Sequence, residues 1–184
     1  MTSLPNLSSI VLPDLPKQGE VVCWDGLYGA SKWIALAEAA QNSKKPFVLL
    51  LPDVRSVEAV SQDLSFFAKN LKLHIFPDWE TLAYDRFSPY QDIVSERLYT
   101  LSKMPHLNDG IIITSIQTAL HRLLPKDWLT KTTFSLSCGQ QIQREAFRTR
   151  LTESGYISTS QVSAPGEFAV RGSLIDVFPV GARL

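Results

Sequence analysis

Short apolar runs alternate with stretches of helical periodicity over the first two thirds of this chain, and that alternation constrains the fold more than any other feature. Val21-Val22-Cys23-Trp24, Phe47-Val48-Leu49-Leu50-Leu51, residues 71–76 and Ile111-Ile112-Ile113 are all of strand length. Between them, residues 30–41, 54–70, 92–104 and 116–123 read as helices. Ala35, Leu36, Ala39 and Ala40 give the first of these an apolar face. Asp53 stands where the second needs an N-cap, and Pro105 ends the third. Strands written as continuous apolar runs and separated by helices predict an α/β fold with a parallel sheet covered on both faces.

After Pro125 the pattern changes. Residues 131–137 alternate as a half-buried strand, Cys138-Gly139 turns the chain, and residues 141–154 read as a helix stopped by Gly155. Residues 167–180 read as extended, with Gly172 as a bend or bulge. A smaller α+β unit is therefore expected, with the change of unit near 125–132. No return strand follows in this reading, so the chain is taken as a fragment of a longer protein.

Composition narrows the function classes. The 184 residues carry 18 Lys and Arg against 18 Asp and Glu. Zero net charge argues against strong non-specific nucleic-acid binding, which rests on excess cations. No apolar run approaches the ~20 residues of a membrane span. Residues 1–16 lack a basic start and contain Pro5, Pro13 and Pro16, unlike a secretory signal. Cys23 and Cys138 have no close partner in sequence and read as reduced thiols of a cytoplasmic protein. His74, His106 and His121 lack metal-ligand spacing, so no metal site is expected.

Gly26-Leu27-Tyr28-Gly29-Ala30-Ser31-Lys32-Trp33 lies where a phosphate-binding loop would sit, between strand and helix. Gly26 and Lys32 fit the template G-x-x-x-x-G-K-[ST]. Ser31 replaces the second glycine, and a Cβ disfavours the backbone turn that aims N–H groups at phosphate. Trp33 replaces the Mg²⁺-binding hydroxyl, and indole cannot serve. The turn reads as a degenerate phosphate loop that binds no cofactor, and no catalytic residue is assigned. An ordinary strand–turn–helix with a solvated Lys32 is the alternative.

Residues 76–98 form the most distinctive stretch. Trp79, Tyr84, Phe87 and Tyr90 are interleaved with Asp78, Glu80, Asp85 and Asp92. Aromatics among carboxylates suit a loop pinned by its rings better than a nucleic-acid surface, and Trp79, Tyr84 and Phe87 are expected to be buried. This stretch, FPDWETLAYDRFSPYQDIVSERLYTL, resembles the N-terminal part of the bacterial transcription-repair coupling factors. A second stretch, GEFAVRGSLIDVFPVG, is similar to a second motif of that family, in the same order. Through the family the chain also resembles the excision-repair helicase UvrB.

The resemblance implies a degenerate RecA-like domain 1A at 20–131, after a lead-in at 1–19, then a partial domain 2 at 132–184. It implies a non-catalytic UvrB-like adaptor that recruits UvrA through domain 2, with Arg171 of "FAVRG" in contact. The family's further contact residues, an Arg and a Phe, would fall past Leu184, and Arg183 is not one of them. The long DNA-clamping hairpin of UvrB does not fit between Asp78 and Arg97. The ATP, Mg²⁺, DNA and RNA polymerase of the family would belong to regions beyond this chain. Two other readings stand beside this one: a divergent phosphate-loop NTPase or nucleotide kinase, and a DNA-binding accessory domain of a helicase.

Overall fold

A computed structural model describes residues 12, 14–82, 85–134 and 136–180. Helix α1 (Ser31–Gln41) leads into strand β1 (Phe47–Leu51), helix α2 (Val54–Phe67) and strand β2 (Leu73–Ile75). Helix α3 (Gln91–Lys103) and a 3₁₀ turn (Met104–His106) precede strand β3 (Ile111–Ser115) and the short helix α4 (Ile116–Ala119). Helices α5 (Lys126–Thr132) and α6 (Arg144–Glu153) then lead to strands β4 (Ile157–Ser158), β5 (Glu167–Arg171) and β6 (Leu174–Val177).

The fold is mixed α/β, and its first sheet is parallel in the order β1-β3-β2. Strand β3 lies in the middle, with Phe47 opposite Ile111 on one side and Leu73 opposite Ile111 on the other. Ile111 and Ile113 join Leu51, Ala37, Ala40, Val57, Val60 and Leu64 in one core. The α2 residues recur at positions 57, 60, 61 and 64, one face of a 3.6-residue period. Asp53 caps α2 as its position suggests, accepting from the Ser56 N–H at 2.7 Å. On the opposite face of the sheet, Ile112 packs with Phe76 and Leu101. Gly110 permits the close approach of β3 to β2: it holds φ 94°, and a Cβ there would lie 2.5 Å from the Lys72 carbonyl oxygen.

The sheet departs from expectation in two places. Residues 21–24 form no strand, and Val21 is 97% exposed. Among the described residues β1 and β2 pair only with β3, so each keeps an open outer edge, and residues 21–24 join neither of them. Strand β1 is also not buried throughout, because Val48 and Leu50 lie exposed on the side that carries Ile112.

The second sheet is small, in the order β4-β5-β6, with β4 parallel to β5 and β6 antiparallel. Phe168 packs with Phe147 and Leu151 of α6, flanked by Phe134, Tyr156, Ile175 and Val177. Of the residues expected as a strand at 131–137, Lys131 and Thr132 end helix α5, and the described ones after them form no strand. Pro125 stands at its N-cap, and a proline just before a first turn withholds no needed donor. The extended stretch from 167 is a hairpin: Gly172, at φ 60°, turns the chain so that Arg171 faces Leu174. The return strand is β6.

Candidate partner-binding surface

The turn before α1 holds two glycines in the left-handed region and bonds its donors within itself. Gly26 and Gly29 have φ of 71° and 57°. The Ser31 N–H and hydroxyl both donate to the Tyr28 carbonyl, at 3.1 and 2.6 Å, and the Trp33 N–H donates to Ala30 at 3.0 Å. Lys32 Nζ sits 4.6 Å from the centre of the Trp33 ring, and Trp33 itself packs against the main core. The indole thus anchors the helix to the sheet and draws the lysine over itself.

The aromatic-acidic segment is pinned at its base and open beyond it. Arg97 of α3 is only 2% exposed, with its guanidinium 4.1 Å from the Phe76 ring centre and 4.0 Å from that of Trp79. It donates to the Pro77 carbonyl, while its Nε has no hydrogen-bond partner. Burial lowers its pKa to about 10, opposed by the charge of Asp78. Asp78 in turn accepts from the Thr118 hydroxyl at 2.6 Å, and Thr118 shares a 2.8 Å bond with Ser115 at the end of β3. Burial would raise the Asp78 carboxyl, but the Thr118 and Glu80 hydrogen bonds and the nearby His121 and Arg97 hold it below its usual value. Trp79 is half-buried. The expectation for Phe87 fails, since it is 78% exposed, and Tyr90 is exposed with it. Arg97 pins residues 76–79, and Phe87 lies eight positions past that anchor, in the loop before α3. Tyr84 lies outside the described residues. Sequence reasoning missed Arg97, although its spacing four residues from Ile93 and from Leu101 places it on the helix face turned to the sheet.

The third feature is the end of the β5–β6 hairpin. Arg171 stands exposed at the last position of β5 and donates through Nη2 to Asp176, diagonally across on β6. Leu174, directly opposite Arg171, is 66% exposed. From the first turn of α6, Arg144 Nη1 reaches the Gly172 carbonyl at 2.9 Å and pairs with Glu145 at 3.2 Å. At the other end of β5, Glu167 accepts from the Ser163 and Ala164 N–H groups, which lower its pKa and tie the preceding loop to the sheet. Arg183 lies outside the described residues.

Residues 134–183, which include this whole sheet, match the family described as UvrB interaction domain. Over 168 residues, 91% of its length, the chain is 38% identical to the transcription-repair-coupling factor of Escherichia coli (strain K12). It is 36% identical over 174 residues to that of Haemophilus influenzae, and 26% identical over 156 residues to that of Bacillus subtilis. The chain is a homologue of the transcription-repair-coupling factors. It covers 14%, 15% and 13% of the lengths of those three coupling factors. Among the described residues no helix is long and apolar enough to cross a membrane, and no His, Cys, Asp and Glu residues group as metal ligands would. Cys23 and Cys138 are free and exposed.

Proposed function

We propose that this chain is the UvrB-like, non-catalytic adaptor part of a transcription-repair coupling factor. Residues 132–184 bind UvrA, and Arg171 makes a principal contact. The carrying observation is the exposed Arg171 at the end of a braced hairpin, within the stretch that matches the UvrB interaction domain. An arginine there offers a planar fork to a carboxylate, and an exposed Leu174 beside it supplies apolar contact. Residues 20–131 are read as a degenerate RecA-like domain. Its phosphate-loop turn has donors bonded within the turn and a tryptophan in place of the metal-binding hydroxyl. In this reading the domain is a platform, and the cell compartment is the cytoplasm. DNA, RNA polymerase and ATP belong to other parts of the longer protein.

Titration of purified UvrA into the wild-type and Arg171→Glu proteins, followed calorimetrically, tests the assignment. Loss of binding in the variant with an unchanged melting curve is the expected result. Equal affinity of the two removes Arg171 from the interface. Calorimetry with ATP and Mg²⁺ tests the other half: no binding is expected, and micromolar Mg²⁺-dependent affinity would overturn the reading of the turn as degenerate.

A further inference from the structure

We propose that Asp176 is a positioning residue for Arg171, and that Arg144 braces the turn from which Arg171 projects. The inference rests on the reading of Arg171 as a partner contact and adds how that contact is prepared. Ala169 lies opposite Asp176 and Leu174 opposite Arg171. Alternation along the strands therefore places Arg171, Leu174 and Asp176 on one face of the hairpin. The inner face is the other one, where Phe168, Ile175 and Val177 meet α6. Arg171 and Asp176 are diagonal neighbours, at the separation that long side chains bridge. Their side chains remain 65% and 41% exposed, so neither helps to fill the core.

An exposed pair of this kind contributes little to folding. Its effect is on geometry. The guanidinium has five N–H donors, and the bond to Asp176 uses Nη2. The other donors stay available for a carboxylate of the partner, on a side chain that remains largely exposed. A free arginine loses several rotatable bonds on binding, whereas one already held by Asp176 has lost them beforehand. The backbone beneath it is held in the same way. Gly172 sits in the left-handed region, and its carbonyl is gripped by Arg144. Arg144 occupies the first turn of α6, where the helix dipole disfavours a cation. That placement makes sense if the residue serves the hairpin rather than its own helix.

A double-mutant cycle on the full-length protein tests this, with purified UvrA as the probe. Asp176→Asn keeps size and polarity but removes the charge. It should weaken binding roughly three- to tenfold, the range expected for releasing one long side chain, with no change in melting temperature. In an Arg171→Ala background the same substitution should have no effect, because Asp176 acts only through Arg171. Unchanged or tighter binding by Asp176→Asn, or an equal loss in the Arg171→Ala background, overturns the proposal while leaving Arg171 in the interface. If Arg171→Ala itself binds as wild type, the functional reading fails instead. A readout without partner completes the test. ¹⁵N relaxation of the Arg171 Nε should report an ordered side chain in the wild type and a mobile one in Asp176→Asn. Equal mobility in the two counts against positioning.

Discussion

Arg97 and Arg171 each meet an aspartate, in opposite surroundings. Arg97 is sealed beneath two rings, and Asp78 acts on it as a nearby charge, itself tied to Thr118. Arg171 is open to solvent, directly bonded to Asp176. The first arrangement costs desolvation and recovers it through ring contacts and a backbone carbonyl, so removing the cation leaves a hole and a stranded acceptor. The second costs almost nothing to make or break. One guanidinium therefore serves the fold and the other does not, and the two should separate under mutation.

Arg97→Ala should show the largest effect, a destabilisation of about 3 kcal/mol or more, as for loss of a fully buried large side chain. Urea denaturation of the whole protein measures it. Arg97→Lys should recover little, because an ammonium neither stacks on rings nor spans their width. A neutral Arg97→Ala would erase the distinction drawn above. Trp79→Ala comes next, at about 2 kcal/mol, because the ring is only half-buried and fully buried tryptophans cost ~3–5 kcal/mol. A cost as large as that of Arg97→Ala would mean that the ring, not the cation, holds the cage.

Acid should then weaken the first sheet in two stages. Burial, then Lys72, lower the His74 pKa below its ordinary 6.5, outweighing the opposite pull of Asp109. The unfolded chain therefore takes up a proton at His74 first, so stability falls as pH drops below 6.5. Asp78 adds a second loss at lower pH, since its folded carboxyl titrates below the usual range. Denaturation midpoints measured between pH 8 and 2 should decline in that order, and His74→Gln should flatten the first part. A flat profile in the wild type would show that neither group is linked to folding. The smallest effect belongs to Phe87→Ser and Arg171→Ala, each expected within ~0.5 kcal/mol of wild type, as for exposed positions generally.

Much of the first sheet could be read from apolar runs alone. Ile111-Ile112-Ile113 is a central strand because every one of its side chains finds cover. Asp53 announced its helix through local chemistry, a carboxylate three residues before a free N–H. Reading failed where the deciding partner is distant. Val21-Val22-Cys23-Trp24 has strand composition, yet it joins neither open edge of the sheet. Val48 and Leu50 belong to an apolar run whose outer face nothing described here covers. Gly172 carries the same letter whether it bulges one strand or turns between two, and only the pairing of Phe168 with Val177 decides. At the candidate surface, Arg171 was legible only through resemblance. Asp176 and Arg144 became visible when the hairpin brought residues five and twenty-eight positions away to the same turn.

The strand order has a consequence for the order of events in synthesis. Phe47 pairs with Ile111, and Leu73 pairs with Ile111 too. Until β3 has left the ribosome, β1 and β2 have no ladder, and at ~5–20 residues per second they wait for several seconds as exposed apolar runs. The β5–β6 hairpin closes over two residues and can form as soon as it is made. Nascent chains arrested before and after residue 115 should differ sharply in protease resistance, whereas arrest on either side of 171 should matter far less to the first sheet. A single strand thus acts as the clock for half of the molecule, and a chain stalled before it holds β1 and β2 open to any other unpaired edge nearby.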